Sequence, residues 1–251
     1  MKSIGIIPAR YASSRFEGKP LADILGKPMI QHVYEGACKS KFLDQVIVAT
    51  DDERIFEVVQ NFNGKIVMTS ECATGTERVA VVAKELECDI VLNIQGDEPL
   101  LEPEHIDIML QPFLTTPSIQ VCTLKERVYS IEDYLDPNVV KVVTNLNGDA
   151  LYFSRSSLPH IPDKNQNEIN KNMHIYRHIG LYAYRREQLL EFITWESTPN
   201  EKAEGLEQLR FLEHDVNIHV VETDKHLIGV DVPTDLDRVR HILEKRGIER
   251  K

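Results

Sequence analysis

Arg10, Arg15 and Lys19 follow one another at five and four residues in the run IIPARYASSRFEGKP (6–20), set among small side chains. Three cations on one loop are chemistry for an anion. Ala12, Ser13 and Ser14 allow close backbone approach and offer hydroxyls, and Gly18 relieves a tight turn. The charge exceeds what one phosphate needs and suits a triphosphate. The loop matches neither G-x-x-x-x-G-K-[ST] nor G-x-G-x-x-G. From composition alone a solvated turn, its cations paired with acidic neighbours, reads equally well. Its place directly after the first strand favours phosphate, because ligands of parallel sheets gather beyond the carboxyl ends of strands.

Carboxylates supply a second kind of chemistry. Asp97 in QGDEP (95–99) and Asp231 in GVDVP (229–233) each read as ending a strand. Two aspartates on one sheet edge could meet around Mg²⁺, which takes oxygen ligands; for Asp97 the plain alternative is a turn aspartate before Pro99. TGTER (74–78) opens a helix whose N–H groups could receive an anion or a base edge. An ordinary helix start capped by Thr74 or Thr76 is favoured there from the residues alone. In HIYRHIGLYAYR (174–185), strand alternation puts His174, Tyr176, His178, Gly180 and Tyr182 on one face. The glycine leaves a hollow between His178 and Tyr182 that suits a sugar, against the alternative of a half-buried aromatic strand. Two histidines with no third ligand disfavour zinc.

These residues need a scaffold, and the first half of the chain reads as one. Short β-branched strands at 3–8, 45–50, 65–68 and 89–95 alternate with helices at 28–40, 52–61, 76–86 and 103–114. The strands are continuously apolar rather than alternating, which predicts a parallel sheet covered on both faces. The second half reads as extended segments at 139–144, 151–154 and 174–185, a helix around 201–213 and a strand at 217–222. A closing strand, LIGVD (227–231), leads into a helix opening at Pro233. The expected architecture is a single α/β domain over 1–251, with a smaller mixed insertion at about 117–222 that carries the sugar face and dimer contacts.

The 251 residues include 40 acidic and 29 basic ones, a net charge of −11. Such a balance excludes a general binder of nucleic acid or of an anionic membrane, so anion binding must be local. At 42% hydrophobic and 27% charged, the composition is that of a globular protein. The four cysteines form no C-x-x-C pair and suggest neither a zinc site nor a disulfide framework. No signal peptide is evident, and no run approaches the roughly 20 apolar residues that span a bilayer. A cytoplasmic protein is expected.

The run IPARYASSRFEGKPLADILGKPMIQHV closely resembles the N-terminal signature of the 3-deoxy-D-manno-octulosonate (Kdo) cytidylyltransferases. The resemblance continues in order through VIVATDDERI, TGTERV, NIQGDEP, NVVKVV, ALYFSRSSLP, RHIGLYAYR, LEQLRFLE and GVDVPTDLDRVR, essentially the whole chain. It implies a mostly parallel, Rossmann-like nucleotide-diphospho-sugar transferase sheet and an enzyme that joins CTP and Kdo to give CMP-Kdo and pyrophosphate, activating Kdo for lipopolysaccharide synthesis. It implies CTP-binding roles for Ala9, Arg10, Arg15, Lys19, Gly75, Thr76, Arg78, Gln95 and Gly96, and Mg²⁺ ligation by Asp97 and Asp231. Thr74 stands where the family more often has serine, which keeps the hydroxyl. Arg155, His178, Tyr182, Glu207 and Gln208 match the family's Kdo-binding positions, and a homodimer is implied. With Arg10 and Lys19 stabilising charge at the α-phosphoryl and leaving groups, Arg10, Lys19, Asp97 and Asp231 form the expected catalytic set; no side chain is an obvious general base. The alternatives are a cytidylyltransferase for amino-Kdo or a sialic-type acid, or a non-catalytic sugar-nucleotide binding module.

Overall fold

A computed structural model describes residues 1–12, 16–162 and 174–249. In chain order come β1 (Ser3–Ala9), a 3₁₀ turn (Lys19–Leu21), β2 (Asp23–Ile24), β3 (Lys27–Pro28), α1 (Met29–Ala37), β4 (Gln45–Thr50), α2 (Glu53–Asn61), β5 (Ile66–Met68), α3 (Gly75–Lys84), β6 (Ile90–Asn93) and α4 (Pro103–Thr115). There follow β7 (Val121–Arg127), α5 (Ile131–Leu135), β8 (Lys141–Thr144), β9 (Ala150–Ser154), β10 (Tyr176–Arg185), α6 (Arg186–Phe192), α7 (Pro199–Glu204), α8 (Leu209–Glu213), β11 (Ile218–Thr223) and α9 (Asp235–Glu249). The chain divides into two compact units, Met1–Asp107 with Leu227–Lys251, and Ile108–His226.

The first unit is built on parallel strands. β1 pairs with β4 on one side and β6 on the other, and β5 extends beyond β4. Four successive strands therefore stand in the order third, second, first, fourth, as in Rossmann folds. The chain works outward from β1 and then jumps back across it, and the reversal lies between β1 and β6. Ile4, Ile6, Ile7, Val48, Ala49 and Leu92 are all buried, as a sheet covered on both faces requires. Helix starts follow local chemistry. Asp52 accepts from the Arg54 N–H before α2, and Thr74 accepts from the Glu77 N–H before α3. Pro28 is the residue before α1 rather than its first position.

The closing segment departs from expectation. Leu227–Asp231 forms no strand, although Val230 is fully buried in a cluster with Ile24, Met29, Leu100, Leu236 and Val239. Its apolar pattern reflects that burial. Its backbone is satisfied elsewhere: the Val230 N–H donates to the Asp97 carbonyl at 2.9 Å, and the Val230 carbonyl accepts from Lys19 Nζ at 2.8 Å. The last helix begins at Asp235, two residues after Pro233, because the Asp235 carboxylate receives the N–H groups of Asp231 and Val232 at 2.8 and 3.0 Å.

The second unit is mixed. β10 runs antiparallel to β7 and β8, β8 antiparallel to β9, and β11 parallel to β7. The helix expected around 201–213 is two helices. Gly205 ends α7 at φ +62°, a left-handed conformation that suits glycine. The alternation along β10 is interrupted by a register shift between Ile179 and Tyr182. His178 and Tyr182 face Lys125 and Thr123, which share one side of β7, so both remain on the same face.

Candidate active site

A cavity of about 400 Å³ lies in the first unit where the strand order reverses, between the carboxyl ends of β1 and β6. β1 delivers Ala9 and Arg10 to its wall, and the turn after β6 delivers Gln95, Gly96 and Asp97. The segment entering α3 adds Thr74, Gly75 and Arg78. Thr74 is thus both an ordinary helix cap and part of the cavity. A Cβ on Gly96 would stand 3.3 Å from the Pro8 carbonyl oxygen, a tight approach that glycine avoids. Thr76 does not line the cavity: it is buried and accepts from Asn93 Nδ2 at 3.3 Å.

The charges are arranged in opposition. Arg10 is exposed and, among the described residues, has no hydrogen-bond or ion-pair partner. Lys19 Nζ donates to Asp97 Oδ2 at 2.6 Å and lies 3.9 Å from Asp231 Oδ1, so one ammonium joins two carboxylates distant in sequence. The sequence reading expected each aspartate to end a strand; instead Asp97 sits in a turn four residues past β6, and Asp231 in the irregular segment. They meet because the Val230 N–H binds the Asp97 carbonyl. Arg78 is buried and committed to Asp51 at 2.6 Å and to Thr69, so it ties the ends of β4 and β5 together behind the cavity. Arg15 lies outside the described residues. The neck of its loop is closed by the Gly18 N–H donating to the Tyr11 carbonyl at 2.9 Å.

A second polar group stands on β10 of the second unit. The His178 and Tyr182 ring centroids are 5.4 Å apart. Burial lowers the His178 pKa to about 3, so the imidazole is neutral. Burial, with Tyr184 and Glu207 nearby, raises the Tyr182 hydroxyl well above its ordinary value and keeps it a donor. Among the described residues, Tyr182 Oη and Gln208 Nε2 are buried donors with no partner. The Arg155 guanidinium donates to the carbonyls of Glu204 and Pro137 at 2.9 and 3.2 Å; no carboxylate among the described residues pairs with it. A cation held by carbonyls alone keeps its charge for an incoming anion.

The chain matches the cytidylyltransferase family model over residues 4–218. It is 54% identical to a 3-deoxy-manno-octulosonate cytidylyltransferase of Geobacter metallireducens, over 95% of this chain and 96% of that protein. It is 53% identical to one of Geotalea uraniireducens, over 98% of this chain and the whole of the other. The chain belongs to the 3-deoxy-manno-octulosonate cytidylyltransferase family. A solved structure of CMP:2-keto-3-deoxy-manno-octonic acid synthetase complexed with CTP superposes with a TM-score of 0.91 at 41% identity, covering 98% of this chain and 100% of that one.

This cytidylyltransferase is accordingly a nucleotidyltransferase with a mostly parallel α/β sheet. Metal fit can be judged from its donors. Two carboxylates and nearby phosphates are the usual surroundings of Mg²⁺, and Asp97 and Asp231 already share one cation, the Lys19 ammonium. Sequence reasoning missed Asn93, which links Thr76 to Gln95, and Asp51, the counter-ion of Arg78. Asn93 is the one polar residue in the apolar run IVLNI, and a buried amide needs partners. Nothing local marks Asp51. Among the described residues no helix is long and apolar enough to cross a membrane.

Proposed function

We propose that the chain transfers CMP from CTP to the anomeric hydroxyl of Kdo, releasing pyrophosphate, and that Mg²⁺ is its metal. The observation that carries this reading is the cavity at the strand-order reversal, where Arg10 and Lys19 stand with Asp97 and Asp231. The named relatives and the CTP-bound neighbour support it.

In this reading the triphosphate lies along Arg10 and Lys19, with Arg15 as a third cation, against the backbone of Ala9, Gly75, Gln95 and Gly96. Thr76 and Arg78 support the walls. Arg155 neutralises the sugar carboxylate; His178, Tyr182, Glu207 and Gln208 meet its hydroxyls. Transfer to the α-phosphorus asks little covalent chemistry of the protein: alignment and charge neutralisation supply most of the acceleration. Arg10 and Lys19 hold positive charge where the leaving pyrophosphate develops negative charge. Asp97 and Asp231 are the residues that would hold Mg²⁺, which when bound would supply further neutralisation at the phosphates and a lower pKa for the attacking hydroxyl. None of the four cysteines forms a disulfide, in keeping with the reducing cytoplasm where we place the enzyme, as a homodimer.

Pyrophosphate release from CTP, measured with Mg²⁺ across Kdo, amino-Kdo and sialic-type acids, tests the reading. Turnover is expected with Kdo and its loss with EDTA. Preference for another acid overturns the sugar assignment, and tight CTP binding without turnover of any acid overturns the activity.

A further inference from the structure

We propose that Thr123 is a positioning residue of the sugar site, fixing His178 as the imidazole tautomer whose Nδ1 accepts a hydrogen bond from a substrate hydroxyl. The inference rests on reading the β10 face as the place where the acidic sugar binds.

Thr123 is fully buried on β7. Its Oγ1 lies 2.7 Å from the Leu181 carbonyl oxygen, 3.1 Å from that of Ile179 and 3.0 Å from His178 Nε2. The register shift between Ile179 and Tyr182 accompanies this convergence of two carbonyls on one hydroxyl. Carbonyl oxygens only accept, so the single hydroxyl proton is committed to them, and the shorter contact to Leu181 takes it. Were that proton turned to His178, two oxygens would face Oγ1 with no hydrogen between. Oγ1 therefore meets Nε2 as an acceptor, and Nε2 carries the proton. The buried ring is neutral, so Nδ1 is bare, and among the described residues it has no hydrogen-bond partner.

The surroundings give the bare nitrogen a use. Among the described residues Tyr182 Oη is a buried donor without a partner, and the Tyr182 ring packs against His178. A donor and an acceptor side by side on one face suit a polyhydroxylated ligand, each of whose hydroxyls both donates and accepts. The opposite tautomer would present a second donor there and leave Nε2 and Oγ1 as two acceptors in contact.

The test combines imidazole ¹⁵N NMR of the substrate-free full chain with kinetics on Thr123→Val and Thr123→Ser; loss of a signal in His178→Gln assigns the ring. Wild type and Thr123→Ser should show a neutral ring protonated at Nε2. Thr123→Val should shift the tautomer equilibrium and raise KM for Kdo by up to about tenfold, the scale of one hydrogen bond, with KM for CTP unchanged. A wild-type ring protonated at Nδ1 overturns the proposal, and that measurement needs no variant to fold. A raised KM for Kdo in Thr123→Val with an unchanged tautomer also overturns it, because Thr123 is then merely structural. If the spectra are as expected but no acidic sugar is turned over, the functional reading fails, and with it the role assigned to Nδ1, while the tautomer stands.

Discussion

Lys19 makes the most consequential contact in the molecule. Its ammonium reaches Asp97, Asp231 and the Val230 carbonyl from the wall of the cavity, while Arg10 stands exposed nearby. The residue therefore links the cationic loop to the carboxylate pair. Removing it should act on the chemical step: Lys19→Ala is expected to lower kcat by about a hundredfold or more, the scale of lost transition-state charge stabilisation. A change confined to KM for CTP would make Lys19 a ground-state binder instead. Asp97→Asn should abolish CMP-Kdo formation while circular dichroism stays that of the folded protein; near-normal turnover would overturn the metal assignment. Spacing in the loop marked Lys19 out as one of three neighbouring cations. Its engagement with Asp97, 78 residues away, left no local trace.

Among the elements, the α7–α8 turn shows how a buried pair braces a break between two helices. Glu201 accepts from Arg210 Nε at 2.8 Å, bridging the glycine break at Gly205 and flanking Glu207 and Gln208. Burial alone would raise the Glu201 carboxyl, but the Arg210 hydrogen bonds and the Thr198 N–H override it and hold it below its ordinary value. Glu201→Gln leaves a buried guanidinium without its counter-ion and should cost about 3 kcal/mol, read as a lower urea midpoint. An unchanged midpoint would show the pair to be dispensable. This region read as one helix from sequence because Leu206, Leu209, Phe211 and Leu212 keep an apolar rhythm through it. A single left-handed glycine interrupts that rhythm without erasing it, whereas β1, β4 and β6 were legible because each is a continuous apolar run.

For the whole molecule, His178 ties stability to pH. Its folded pKa of about 3 lies below the ordinary 6.5, so between those values the unfolded chain binds a proton that the folded one refuses. Stability from this group is therefore full above pH 6.5 and falls as pH drops towards 3; at pH 5 the loss is about 2 kcal/mol. Urea midpoints of wild type and His178→Gln at pH 7.5 and 5.0 check the sign. The variant should lose less stability on acidification by that amount, and parallel behaviour would refute it.

The sequence by itself determined the parallel α/β core, most helix starts and the inventory of reactive side chains, because apolar runs, caps and strand-end loops act over a few residues. Tertiary structure alone decided which of those side chains meet. Val230 reads as a strand residue, yet its buried backbone answers Asp97 and Lys19, and this brings Asp231 beside Asp97. Thr123 meets His178 across 55 residues only because β7 and β10 are neighbours and β10 shifts register there. Strand order and long-range hydrogen bonds balance the free energy of the whole chain, and no window of neighbouring residues contains that balance.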